Sequence, residues 1–323
     1  MHIIHLAFVI TLFGFLAQTQ ADWFHEFEDN RVPDSWEVAP HPSINSDSNT
    51  FSADASLGYL QIAESRSLNQ GGTPILQAVD TSETFTDVRL SATANLDPSV
   101  GSLMGLITST LGNGAYIFSV EFAPSADVGT AYLARAGQGV FDELNSERDF
   151  GIPTRLEVDN SYFLELDVIG DQLTGRVFDT HGGNLLLSMT RTVANPVVGP
   201  KFAGVYSGTP HEFEHITTAG TFDGISATAL RPGDANLDGE VNFVDFLALS
   251  NYFGEGSPQD PRGWGQGDFD GNGEVNFPDF LILSENFGNS FEARASASSV
   301  PEPTAQSIAL FGLLGLIGFR KRR

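Results

Sequence analysis

Two segments near the end of the chain are near-copies of each other, and they constrain the local fold more tightly than anything else in the sequence. Residues 233–254 read GDANLDGEVNFVDFLALSNYFG and residues 267–288 read GDFDGNGEVNFPDFLILSENFG; at an offset of 34 residues, 14 of the 22 aligned positions are identical. A period of that length also occurs in helical-hairpin repeats. Here each unit opens with an acidic, glycine-containing loop and has room for one helix only. Phe246, Leu249 and Phe253 recur at helical spacing, as do Phe280, Leu283 and Phe287, and predict the apolar face of that helix in each copy. Pro278 sits where a helix start tolerates it, and Gly254 and Gly288 follow as stops. Arg231-Pro232-Gly233 and Gly265-Gln266-Gly267 lead into the loops, so no helix is expected before them.

Each loop wraps oxygen donors around one point. Asp234, Asn236, Asp238, Asn242 and Asp245 fall at positions 1, 3, 5, 9 and 12 of the first loop, and Asp268, Asp270, Asn272, Asn276 and Asp279 at the same positions of the second. Position 7, Glu240 or Glu274, offers a backbone carbonyl, and position 6, Gly239 or Gly273, is where the chain must turn sharply. This is the ligand spacing of an EF-hand, and an all-oxygen set suits a hard cation, so two calcium ions are expected. A duplicated loop–helix unit with no entering helix, and with Asp at position 12, resembles a type I dockerin over residues 233–288. The resemblance implies a small calcium-binding module at 231–290 that docks on a protein partner. One departure bears on that partner. Positions 10 and 11, where cellulosomal dockerins commonly present hydroxyls, hold Phe243-Val244 and Phe277-Pro278. This points away from a cohesin, and towards docking on another module or on the N-terminal domain of the same chain.

Both ends of the chain read as addresses. Leu6 to Leu16 is an unbroken apolar run, and Ala17-Gln18-Thr19-Gln20-Ala21 places small residues for signal-peptidase cleavage after Ala21, so 1–21 reads as a secretory signal, although His2 and His5 stand where Lys or Arg is usual. Residues 291–299 are rich in Ala and Ser and read as a linker. Val300-Pro301-Glu302-Pro303 is followed by an apolar stretch to Phe319 and by Arg320-Lys321-Arg322-Arg323. As a helix, 305–319 would span roughly 22 Å, short against a bilayer core of about 30 Å, with the basic cluster left on the cytoplasmic side. The three-part ending at 300–323 resembles the PEP-CTERM sorting signal of Gram-negative-type bacteria. That resemblance implies an exported protein, transiently anchored through the transmembrane segment and cut by an exosortase near Pro-Glu-Pro. A plain C-terminal anchor is the other reading.

The intervening residues, 22–230, are expected to form a large β domain. Strand-like runs such as 58–62, 88–93 and 115–120 alternate with Gly, Asn and Asp, and 162–168 and 173–179 flank a turn at Gly170-Asp171 as a hairpin. The fold class is therefore mainly β, an N-terminal antiparallel β-sandwich followed by the small α-helical calcium module. Phe27-Glu28-Asp29-Asn30 with Trp36 as a first strand, the 165–179 hairpin, and Phe222-Asp223-Gly224-Ile225 as the closing strand resemble a concanavalin/laminin-G-like jelly roll. Laminarinase-like members of that fold carry Glu-x-Asp-x-x-Glu. The nearest match here, Glu165-Leu166-Asp167-Val168-Ile169-Gly170, lacks the final Glu, and Glu165 and Asp167 read as a solvated hairpin face. His211-Glu212-Phe213-Glu214-His215 has zincin-like spacing, but its flanks are too short for a helix, so it reads as a polar loop. Gly112-Asn113-Gly114 reads as a turn. No catalytic set is assigned.

The formal charge is −25; with 300–323 removed, 12 basic residues face 40 acidic ones, a net of −28. Such a surface repels nucleic acid and anionic membranes. The chain has no cysteine, so bound metal, not disulfides, would constrain the small module. Together these features predict an exported bacterial surface or matrix protein that binds polysaccharide or another surface component without catalysis. The alternatives are a polysaccharide-degrading glycoside hydrolase and a purely structural matrix protein.

Overall fold

The computed structural model describes residues 23–40, 50–65, 75–95, 102–111, 114–122, 129–137, 140–142, 161–208, 217–257 and 261–291. The described residues all belong to one compact unit. The signal segment, residues 292–299 of the linker, the sorting tail, His211–His215 and Gly112-Asn113 lie outside the described residues.

Numbered along the chain, the strands are β1 (Trp23–His25), β2 (Trp36–Pro40), β3 (Thr50–Asp54), β4 (Leu60–Ser65), β5 (Ile75–Phe85), β6 (Val88–Asn95), β7 (Ser102–Ser109), β8 (Ala115–Phe122), β9 (Gly129–Gly137), β10 (Val140–Asp142), β11 (Ser161–Ile169), β12 (Gln172–Phe178), β13 (Leu185–Thr192), β14 (Lys201–Gly208) and β15 (Thr217–Ala229). One sheet runs β13-β12-β11-β6-β15-β4-β3 with β1 beside β15, and the other runs β10-β9-β8-β7-β14-β5-β2. The pairings are antiparallel. Each sheet holds a consecutive meander, β7 to β10 or β11 to β13, while β14 and β15 return to the middle of opposite sheets. This is the expected β-sandwich jelly roll.

Period-two alternation builds the core. On β11, Tyr162, Leu164, Leu166 and Val168 point inward and are buried with Leu106, Phe118 and Leu133 of the facing sheet. Gly175 of β12 is required by that packing: a Cβ there would lie 2.2 Å from the Phe118 ring. A polar tie also joins the sheets. His25 Nε2 of β1 lies 2.7 Å from Asp80 Oδ2 of β5, and Trp23, Phe27 and Trp36 surround the imidazole. Burial opposes charge on Asp80, but hydrogen bonds from His25 and from Ser82 outweigh it and hold the carboxyl down at about 2.

Two expectations are corrected. Phe27–Asn30 is a turn between β1 and β2, not a strand: Phe27 and Asn30 have φ of 55° and 56°, and Asn30 N–H donates to Phe27 O at 2.9 Å. Glu165 and Asp167 are not a solvated face either. Arg89 from β6 grips Asp167 through Nε and Nη2 at 2.7 and 2.8 Å, and Arg176 Nη1 from β12 lies 2.7 Å from both Asp167 Oδ2 and Glu165 Oε1. The Asp167 side chain is only 2% exposed. Burial works against its charge, yet the two guanidiniums prevail and hold its carboxyl well below the usual carboxylate range. The antiparallel register puts Arg89 and Asp167 opposite each other, 78 residues apart in sequence, which no local pattern reveals.

Removing one partner of such a network leaves buried charge uncompensated. Asp167→Ala is therefore expected to lower stability by about 3–5 kcal/mol in urea denaturation at neutral pH. Because the folded pKa is depressed, this contribution is complete above the unfolded carboxyl pKa of about 4 and fades as pH falls below it. The gap between wild type and variant should accordingly narrow in acid.

Candidate metal centre

After β15 the chain enters a smaller core of Leu230, Ala235, Leu237, Val241, Leu249, Trp264, Phe269, Val275 and Leu283. Its two helices are α1 (Phe243–Tyr252) and α2 (Phe277–Asn286), and each follows one acidic loop. Gly254 and Gly288 take φ of 83° and 88° just past the helices, as the stops require. The predicted apolar faces hold for Leu249 and Leu283, which are buried, and fail for Phe253 and Phe287, which are 51% and 53% exposed. Those two residues cap the helices with ψ of 125°, so the chain has already left the helical path there. A single 3₁₀ turn, Trp264–Gln266, precedes the second loop.

The two copies depend on each other. Val241 N–H donates to Asn289 O, and Gly288 N–H donates back to Val241 O, at 2.9 and 2.8 Å. Val275 and the residues after α1 repeat the arrangement, Val275 N–H to Glu255 O and Gly254 N–H to Val275 O. Each loop is thus stitched to the end of the other copy's helix. Trp264, buried at 1%, donates from Nε1 to Asp234 O at 2.6 Å and meets Phe269 edge-on. Sequence reading missed Trp264, whose role is long-range and whose neighbours carry no periodic signal.

Within each loop the position-12 carboxylate organises the backbone. Asp245 Oδ1 accepts from Ala235 and Asn236 N–H, and its Oδ2 from Asn242 N–H. Asp279 accepts likewise from Phe269, Asp270 and Asn276. Asp234 takes Asp238 and Gly239 N–H on its two oxygens, whereas Asp268 takes Gly273 N–H on Oδ2 alone. Asp268 Oδ1 is buried with no hydrogen-bond partner. So is Asn276 Oδ1, because the donor that serves Asn242, Val244 N–H, is replaced by Pro278, which has none.

The electrostatics are those of a cation site. Asp268, Asp270 and Asp279 bring ligand oxygens within 4.8 Å of one another, and among the described residues no other trio of acidic or histidine side chains does so. Burial pushes the Asp268 carboxyl up to about 7, and the Asp279 and Asp270 charges add to the rise; Asp234 is raised to about 6 by burial and by Asp245 and Asp238. Asp279 is raised as well, chiefly by burial. The other expected positions are more open: Asn236, Asn242, Asp270 and Asn276 are half-buried, and Asp238, Glu240, Asn272 and Glu274 are exposed. An unpartnered buried carboxylate oxygen beside two more carboxylates fits a hard cation, which would neutralise charge that the fold leaves uncompensated.

Residues 232–288 match the family model of the dockerin type I domain, and residues 299–323 match the PEP-CTERM protein-sorting motif. No curated protein matches the chain. Among solved structures, a xylan β-1,4-xylosidase from Bacillus halodurans C-125 is 12% identical with a TM-score of 0.42, covering 63% of this chain but only 38% of its own. The CBM2 module of the evolved Dit of Lactobacillus casei BL23 phage J-1 is 12% identical, TM-score 0.41, over 64% and 95%. A Bacillus licheniformis β-glucanase is 14% identical, TM-score 0.39, over 65% and 99%. The chain carries a dockerin type I domain and a PEP-CTERM motif, and is an exported protein of the membrane or cell surface.

The hydrogen bonds rank the loop carboxylates by how much backbone each one holds: Asp245 and Asp279 accept three backbone N–H groups each, and Asp270 accepts that of Asn272 alone. With EDTA present, Asp245→Ala or Asp279→Ala orphans three backbone donors and should cost about 3 kcal/mol or more, at about 1–3 kcal/mol for each buried donor. Asp270→Ala, half-buried beside solvent, should cost under about 1 kcal/mol. Urea unfolding followed by the helical circular-dichroism signal measures the difference.

Proposed function

We propose that this is a calcium-dependent bacterial surface or matrix protein whose β-sandwich binds a polysaccharide or another surface component without cleaving it. Its dockerin domain docks a partner module. Two calcium ions are held by Asp234, Asn236, Asp238, Asn242, Asp245 and the Glu240 carbonyl, and by Asp268, Asp270, Asn272, Asn276, Asp279 and the Glu274 carbonyl. The observation that carries the calcium reading is the buried, unpartnered Asp268 Oδ1 facing two further carboxylates. Calcium supplies the positive charge that lets those groups stay ionised. The side chains themselves set the loop and tie it to the helix start.

The sandwich has a second apolar layer besides its central core. The outer face of the second sheet carries a second apolar cluster of Val79, Ile107, Ala115, Ile117, Ala134 and Tyr206, with Tyr132 and Phe202 half-buried against it. Gln77 shares that face with Val79 by strand alternation and is 1% exposed, and its Oε1 has no hydrogen-bond partner. At 0–1% exposure the cluster residues and Gln77 form a second buried layer and not a ligand-contacting surface. Non-cleavage is supported by the fate of Glu165 and Asp167, which lie on the other sheet and are both engaged by arginines. Phe243, Val244 and Phe277 are 60%, 53% and 59% exposed, which supports an apolar partner surface in place of a hydroxyl-reading cohesin.

Calorimetry on the mature chain should show two equivalents of calcium in the range of about 10⁻⁴–10⁻³ M or tighter, falling to one in Asp234→Ala or Asp268→Ala. Absence of calcium-dependent heat in wild type would sink the calcium assignment. For the sandwich, a glycan array and a reducing-sugar assay on the same protein should give retention on at least one polysaccharide with no new reducing ends. Release of reducing sugar that disappears in Glu165→Gln would make the protein a glycoside hydrolase instead.

A further inference from the structure

The duplicated copies differ at loop position 4, and the difference marks a contact with the sandwich. The first loop has Leu237 there, with φ of 59° and 2% exposure, packed in the module's own core. The second loop has Gly271, buried, with φ of 75°. A Cβ on Gly271 would lie 3.2 Å from Gln172 Cβ and 3.2 Å from Ile169 Cδ1, both at the β11–β12 turn. Ile169 in turn packs against the module's core. A second close approach lies nearby: a Cβ on Gly263 would fall 2.7 Å from Arg176 Nη2 of β12, whose guanidinium is fixed by Glu165 and Asp167. The receiving turn is itself braced, since Gly170 N–H donates to Asp87 Oδ1 at 2.7 Å and Val193 N–H to Asp171 O at 2.8 Å. The exposed Phe243 and Phe277 pairs play no part in these contacts, so the expectation that they dock on the N-terminal domain is corrected: a different face of the module does so.

We propose that the second acidic loop and the sandwich form one cation-dependent joint, in which seating Gly271 on Ile169 and Gln172 and filling the second calcium site stabilise each other. Gly271 stands between two of that loop's ligands, Asp270 and Asn272, so the surface that fixes Gly271 also fixes the ligand backbone on both sides. A loop held against a braced surface loses less freedom on binding, which raises affinity. By linkage the ion must strengthen the docking by the same factor. The first loop has no such wall at position 4, because Leu237 turns into its own core. The two sites are thereby differentiated: one belongs to the module alone, and one also reports whether the module is seated on the sandwich. This inference rests on the calcium reading above.

Hydrogen-exchange mass spectrometry of the full mature chain, titrated with calcium alone, follows residues 234–245, 268–279 and 169–172 separately. In wild type, calcium should slow exchange at 169–172 along with the second loop. Two variants probe the joint from opposite sides. Ile169→Ala removes the sandwich contact with no change to the loop backbone, and Gly271→Leu adds both a clash and left-handed strain, so Ile169→Ala is the arm that isolates the contact. Each should raise the calcium midpoint of 268–279 by roughly fivefold or more, the low end of ordinary coupling, and move that of 234–245 less. An unchanged second-loop midpoint in both variants, equal shifts of the two loops, or no calcium effect at 169–172 overturns the joint while leaving calcium binding intact. A wild-type chain that shows no calcium response in either loop overturns the calcium reading itself, and the joint with it.

Discussion

The carboxylates of Asp245 and Asp279 are the points on which the C-terminal module turns. Each accepts three backbone N–H groups, two from the start of its loop and one from the residue that begins its helix. One side chain thus closes the loop, caps the helix and lies among the other acidic ligands. That concentration of function has an electrostatic cost. Burying several carboxylates together raises their proton affinity, most of all at Asp268. A bound cation is the compensation that this geometry leaves open, and a chain without cysteine has few other ways to constrain so small a core.

The sandwich meets a similar problem in the opposite way. Glu165 and Asp167 stand on the outer face of β11, where two acids two residues apart would ordinarily be left to water. Arg89 and Arg176, on the strands to either side, neutralise them with direct ion pairs. The two acidic groupings of the chain therefore differ in chemical character. One is paired with the protein's own guanidiniums; the other holds Asp268, Asp270 and Asp279 close together, with the Asp268 carboxyl pushed up to about 7. The location of compensation, not the presence of carboxylates, separates an internally paired network from a candidate cation site.

The same contrast explains what was legible in the sequence. The loops and the helix stops are local, so spacing alone found them; so are the alternating strands and the turn at Gly170. What escaped involves residues far apart. Arg89 reaches Asp167 across 78 positions, and Trp264 reaches Asp234 across 30. Phe27–Asn30 was misread because its aromatic and acidic residues suit a strand edge, while positive φ at Phe27 and Asn30 makes it a turn. Phe253 and Phe287 keep helical spacing on paper and lose it where the backbone leaves the helix one residue earlier.

The differences between the two copies carry as much information as their identities. Gly239 and Gly273, and Asp245 and Asp279, are the same because each loop must turn and close alike. Val244 and Pro278 differ, and the change orphans Asn276 Oδ1 by removing one N–H. Leu237 and Gly271 differ because one points into the module's own core and the other presses on the sandwich. Burial of a side chain such as Leu237 is worth about 1.5–3 kcal/mol, set against the cost of holding a non-glycine residue at a φ of 59°. Glycine at Gly271 avoids the left-handed strain that Leu237 bears, and it also lets Ile169 and Gln172 approach to within 3.2 Å of where a Cβ would stand.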